Sequence, residues 1–122
     1  MDTTKDKFEE QIDGSVNLTA KFKEDILKHY EEIKGIDVNS GKFGTPITLH
    51  NSISSLIYFL DNNTESVGGK FLHHKEHQID TLKAVRDDKH QTLYDTKNRI
   101  ISLLGEYCKI LEKGDAITSK SV

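Results

Sequence analysis

The segment Phe71–His77, "FLHHKEH", holds three of the chain's six histidines. His73, Glu76 and His77 stand in the order H-x-x-E-H. On a helix, His73 and His77 lie one turn apart on one face, so two imidazoles could share a metal ion beside a Glu base. Peptidases built on this order also need a third ligand and a cleft around the zinc. A chain of 122 residues leaves little room for one. Lys75, Glu76 and Gln78 flank the pair and favour a solvated helix face. No metal or cofactor is therefore expected. Three neighbouring imidazoles repel once protonated, near a pKa of ~6.5, so acid loosening of this segment is a secondary expectation.

Two further segments have chemical letters. "AVRDDKHQ", Ala84–Gln91, sets Arg86, Asp87, Asp88, Lys89 and His90 in a row. Arg86 and Lys89 could form a polar layer that fixes register against a partner. Arg and His on one helix also suit a dimeric ribonuclease site, but Arg86-x-x-x-His90 is tighter than that pattern usually has. A solvated stretch is the simpler reading. "SVGGK", Ser66–Lys70, has the glycine pair of a phosphate cradle without the G-x-x-x-x-G-K-[ST] spacing, and reads as a turn. The lone cysteine, Cys108, sits among apolar residues and reads as a buried, reduced thiol. No Ser/His/Asp order, carboxylate pair or CxxC motif stands out, so no catalytic residue is assigned and the expectation is a non-enzyme.

The elements around these residues are helical by their spacing. Leu18, Phe22, Ile26, Leu27, Tyr30 and Ile33 form a stripe that Ser15 or Asn17 can cap, with Gly35 as its left-handed stop. "GIDVNSGKFGT", Gly35–Thr45, reads as a loop. Thr45 as N-cap and Pro46 at the first position open a second helix with Leu49, Ile53, Leu56, Ile57 and Leu60 on one face. The run "LIYFL" within it also has strand propensity. From Thr64, or from about residue 70 past the weakening Gly68 and Gly69, the spacing predicts one long helix of up to ten turns. Its seam runs through 79/82, 86/89, 93/96, 100/103 and 107/110, frayed at Arg86, Lys89 and Thr96. The fold class is all-α: a helical hairpin or three-helix bundle with a long C-terminal helix. Residues 1–14 read as a flexible N-terminal arm, 15–113 as a single helical domain and 114–122 as a disordered tail.

Composition bounds the function. Charged residues make up 30 % and hydrophobic ones 34 %, with a net charge of −3. No basic stripe invites nucleic acid or an anionic membrane. The N-terminal "MDTTKDKFEEQID" lacks an apolar core, so no Sec-type signal is expected, and no run suits membrane insertion. A cytoplasmic protein is expected, with export by a route that needs no signal peptide as the alternative.

The layout, a small acidic helical hairpin with one Cys, resembles the WXG-type family and the accessory proteins encoded beside LXG toxins of Gram-positive type VII secretion. The resemblance implies a helical hairpin that docks on a toxin's helical N-terminal domain. The chain has no Trp, so the W-x-G turn is missing. Leu111 follows Tyr107 at four and Asp61 follows Tyr58 at three, so the Y-x-x-x-[DE] export signal is missing too. No functional residue carries over.

The expected function is binding of a helical partner protein, or self-association, through Phe22, Ile26 and Tyr30 of the first helix and Leu93, Ile100, Leu103, Tyr107 and Ile110 of the long one. Part of each stripe must also form the core. An accessory or targeting chaperone for a secreted toxin is the most concrete version. An immunity protein or phage-encoded inhibitor is the first alternative, since acidity suits a basic nuclease. A metal-binding protein using His73 and His77 is the second.

Overall fold

Phe8 and Ile12, four apart, need one face of a helix, and Asp6 starts it. The Asp6 carboxylate accepts from the Glu9 N–H while the Glu9 carboxylate accepts from the Asp6 N–H. This capping box satisfies two donors that a helix start leaves open. In the computed structural model, which describes residues 6–118, α1 spans Lys7–Asp13, with Phe8 and Ile12 buried. The expected flexible arm is thus, from residue 7, part of the core; the first five residues lie outside the described ones.

α2 spans Ala20–Lys34. Thr19, not Ser15 or Asn17, is its cap: the hydroxyl accepts from the Phe22 N–H at 3.1 Å. Gly35 ends it with φ −76°, in the right-handed region rather than the left-handed one expected. α3 spans Thr45–Asn63; Gly44 rather than Thr45 is its N-cap and no side chain caps it, Thr45 and Pro46 lie in its first turn, and "LIYFL" is helical.

The expected long helix is two helices. α4 spans Leu72–Asp87 and α5 spans Leu93–Glu112. Asp88 turns out of the helix at ψ 111°, and its carboxylate accepts from the His90 N–H at 2.8 Å. Thr92 then caps α5 by accepting from the Asp95 N–H at 3.0 Å. The frayed part of the seam is this turn. α4 also starts late, because β1 (Thr64–Ser66) and a turn with Gly68 and Gly69 at φ 67° and 82° precede it. Those angles favour glycine.

The expected disordered tail pairs with β1. β2 (Ala116–Thr118) runs antiparallel to it, Thr64 opposite Thr118 and Ser66 opposite Ala116. Thr64, Thr118 and Ala116 face inward, and Glu65 and Ile117 face out. Residues 119–122 lie outside the described ones.

The protein is therefore mostly helical, with five helices and one short strand pair among the described residues. α2, α3, α4 and α5 each pack on the next, α5 returns onto α2, and α1 lies against α2 and α5. This replaces the expected hairpin or three-helix layout. Polar ties give the directions. His50 near the start of α3 lies 3.4 Å from Asp87 at the end of α4, and Lys75 at the start of α4 donates to the Asp61 carbonyl near the end of α3. Lys97 at the start of α5 donates to the Ile36 carbonyl just past α2. Neighbours are thus antiparallel. Between them lies one core that includes Phe22, Ile26, Ile53, Leu56, Leu82, Ile100, Leu104 and Tyr107. No helix among the described residues is long and apolar enough to cross a membrane.

Candidate interaction surface

The histidine segment opens α4. His73, His74, Glu76 and His77 are all exposed, and the His73 and His74 rings are 6.1 Å apart. Among the described residues, no group of three His, Cys, Asp or Glu is placed to hold a metal ion. Lys75 is the member of the segment with a structural task. Its ammonium donates to the Asp61 and Thr64 carbonyls, each at 2.8 Å, closing the C-terminal end of α3.

In "AVRDDKHQ", Arg86 lies on α4 and His90 in the turn beyond it, so the two do not share a helix. The Arg86 guanidinium bonds Asp87 at 2.9 and 3.0 Å and reaches the Ser54 hydroxyl of α3 at 3.3 Å. The Arg86 polar layer is internal, between α4 and α3. Lys89 is exposed in the turn. "SVGGK" is the turn before α4. Cys108 is buried, and desolvation pushes its thiol up to about 12, where it is a poor nucleophile at neutral pH.

The expected partner-binding stripe divides. Phe22, Ile26, Ile100 and Tyr107 are buried in the core, as is Tyr30, whose edge lines a groove described below. Leu93, Leu103 and Ile110 are partly buried against the same core. The pattern on α5 explains the change. Its buried positions are Thr96, Ile100, Leu104, Tyr107, Cys108 and Leu111, which follow a straight 3.6-residue helix rather than a strict heptad.

Two grooves flank α2. One, of about 550 Å³, lies between α1 and α5 and is lined by Asp6, Gln11, Tyr30, Ile101, Gly105 and Lys109, among others. Three of its polar side chains, Asp6, Tyr30 and Gln11, are engaged. The Tyr30 hydroxyl and the Lys34 ammonium both donate to Asp6, at 2.5 and 2.6 Å, and the Gln11 amide donates to the Gly105 carbonyl at 2.9 Å. Desolvation pulls the Asp6 carboxyl upward, but the bonds from Lys34, Tyr30 and the Glu9 N–H outweigh it and hold it at about 2. Burial and the Asp6 charge push the Tyr30 phenol above its ordinary value. This cluster ties α1 to α2; it does not activate a base or a nucleophile.

The other groove, of about 490 Å³, lies between α2 and α3 and is lined by His29, Ser54, Ser55, Tyr58, Phe59 and Asn63. The His29 ring packs 4.9 Å from that of Phe59, which in turn packs 5.3 Å from Phe22. Nδ1 of His29 is buried without a hydrogen-bond partner. Desolvation lowers the pKa of this histidine, with Glu32 and Asp25 acting in the opposite sense.

This groove borders a stretch of chain without Asp, Glu, Lys or Arg: from Phe43 to Leu60 there is none, although 30 % of all residues are charged. Leu49, Ile53, Leu56, Ile57 and Leu60 use the inner side of α3. The outer side carries Ile47, Asn51, Ser55 and Tyr58, all exposed, with Phe43 just before the helix. Phe43 is 96 % exposed, Tyr58 72 % and Ile47 63 %. The other helices mix exposed charges, among them Lys21, Glu24 and Lys28 on α2, Asp80 and Lys83 on α4 and Arg99, Glu106 and Lys109 on α5, with exposed uncharged residues such as Leu72 and Tyr94. Hydrophobic periodicity assigns α3 to the core and passes over this face. The signal that finds it is the missing charge.

Comparison with protein-family models, curated proteins and solved structures finds no match to this chain.

Proposed function

We propose that the protein is a non-enzymatic binding protein that packs the outer side of α3, with the adjoining α2–α3 groove, against a helix of a partner protein. The observation that supports this most is the charge-free run Phe43–Leu60, which places Phe43, Ile47 and Tyr58 on the surface. Depletion of charge with exposed aromatic side chains marks the centre of protein interfaces. Exposed apolar groups gathered on one helix are normally covered by another chain. The binding surface is thus α3, and the stripes of α2 and α5 serve the core behind it.

The most concrete form is a cytoplasmic accessory or targeting chaperone for a secreted toxin, since such proteins pair a small acidic helical bundle with a helical toxin domain. The test is co-expression with the helical N-terminal domain of an LXG-type toxin encoded beside it. A photocrosslinking residue replaces Tyr58 in one variant and the exposed Glu106 in another. Co-elution on size exclusion, with crosslinks from position 58 and none from 106, is expected. No complex with such a domain sinks the chaperone reading. A complex that crosslinks only from position 106 moves the surface off α3.

A further inference from the structure

We infer that α1 is a removable occupant of the seam between α2 and α5, and that this seam is a docking site for a partner helix that repeats the pattern of α1. The site is separate from the outer side of α3 and stands without that reading.

The bundle does not need α1 to close. α2, α3, α4 and α5 pack in turn and α5 returns onto α2, so the ring is complete without it. α1 is an added helix laid over one seam of that ring. It has 7 residues, against 15 in α2 and 20 in α5. At about 1.5 Å per residue it is about 10 Å long, beside helices of about 22 and 30 Å. It therefore leaves part of the seam uncovered. This is the groove of about 550 Å³, where Tyr30, Ile101, Ser102 and Gly105 are reached from outside.

α1 itself shows what the seam takes. Asp6 sets its carboxylate between the Tyr30 hydroxyl and the Lys34 ammonium, 2.5 and 2.6 Å away. The Phe8 ring packs on Tyr30 with 4.4 Å between centroids, and Ile12 is fully buried. The Gln11 amide donates to the Gly105 carbonyl at 2.9 Å. The matching partner is an amphipathic helix with an acidic cap, an aromatic residue two positions on, then an amide donor and an aliphatic residue. In this chain the pattern reads D-x-F-x-x-Q-I. A helix longer than α1 also covers the open remainder of the seam. Gly105 favours such a helix. A glycine inside α5 costs helix stability relative to alanine. α1 does not account for it, because a Cβ there would stand 3.6 Å from Oε1 of Gln11, an ordinary contact. The bare backbone lets a longer helix lie closer to α5.

The attachment lets α1 leave. The chain after it is fixed: the Val16 and Asn17 N–H groups donate to the Glu112 carboxylate at 2.7 and 3.1 Å, and the Thr19 N–H donates to the Thr118 hydroxyl at 3.1 Å. α1 swings from Gly14 and Ser15 while α2 keeps its place. Seated, it is a tethered competitor at high local concentration. The apparent affinity for a partner falls by the fraction of chains whose seam is open.

The probe is a synthetic peptide of residues 6–14, added to the isotope-labelled full chain and read by the amide chemical shifts of Tyr30, Ile101 and Gly105. Phe8→Ala with Ile12→Ala weakens the seated helix. That variant should bind the peptide about tenfold or more tightly than the wild type, with shifts at those three positions. A peptide carrying the same two alanines should not bind. Where the double variant fails to fold, Asp6→Asn with Gln11→Ala removes the polar ties, leaves the core filled and takes its place in the comparison. Amide hydrogen exchange of the wild type gives a second reading. The α1 amides should exchange through an opening that leaves α2 and α5 protected. No binding to the loosened chain overturns the inference, as does equal binding to the wild type and the variant. So does exchange of the α1 amides only on unfolding of the whole bundle.

Discussion

At the scale of single residues, Tyr107 shows how a polar atom is accommodated in this core. The Thr64 hydroxyl donates to the Leu60 carbonyl at 2.7 Å, so the Tyr107 hydroxyl, 2.7 Å from the same oxygen, is the donor to it. The phenol is buried, and desolvation raises its pKa above the ordinary value. Its ring meets Phe71 edge-on, 5.7 Å between centroids. Tyr107→Phe keeps the ring and leaves one lone pair of Thr64 without a donor. It should cost about 1–2 kcal/mol in urea unfolding at neutral pH, with an unchanged m value. Tyr107→Ala removes the ring as well and should cost about 3–5 kcal/mol. A Tyr107→Phe variant as stable as the wild type would mean that this hydrogen bond contributes nothing net. The inward direction of Tyr107 was readable from its helical stripe, but its role as a donor was not. Its partner, Thr64, is 43 residues away, and no local spacing encodes that meeting.

At the scale of elements, the sequence spoke clearly where apolar spacing is regular, and poorly where a turn interrupts a helical pattern. α2 and α3 have that spacing, although Thr19 and Gly44, not the expected residues, stand at their N-caps. The turn at 88–92 has neither Gly nor Pro; it rests on an Asp side chain accepting from a backbone N–H and on a Thr cap, which look like ordinary polar helix positions. Thr92→Ala should therefore cost about 1 kcal/mol, read as a lowered urea midpoint with the helical circular-dichroism spectrum retained. α1 was underweighted for a different reason. Two apolar side chains are too few to mark a helix in isolation, yet Phe8 packs on Tyr30 with 4.4 Å between ring centroids, and Ile12 is fully buried. Burying a side chain of this size contributes roughly 1.5–3 kcal/mol, so Phe8→Ala combined with Ile12→Ala should cost at least about 3 kcal/mol. A double variant that unfolds at the wild-type urea midpoint would return α1 to the status of a loose arm.

At the scale of the whole molecule, two desolvated or bonded titratable groups make stability depend on acid in two separate windows. His29 is half-buried between α2 and α3. The groups facing it are Asp25, Lys28 and Glu32 from its own helix, and Ser54, Ser55, Tyr58, Phe59 and Asn63 from α3. No carboxylate of α3 is among them to hold a proton on the ring. Its folded pKa lies below the ordinary 6.5, so the unfolded chain binds the proton first. The contribution of neutral His29 is complete above pH 6.5 and is lost as pH falls below it. Asp6 acts lower: with a folded pKa of about 2 against an ordinary 3.8, its contribution is complete above the ordinary value and is lost as pH falls from there toward 2. Unfolding free energy measured in urea from pH 8 to pH 3 should therefore decline first below 6.5 and again below about 4. His29→Gln should flatten the first decline and leave the second; Asp6→Asn should do the reverse. If His29→Gln leaves the decline below pH 6.5 unchanged, the acid response does not belong to the α2–α3 seam behind the proposed docking surface.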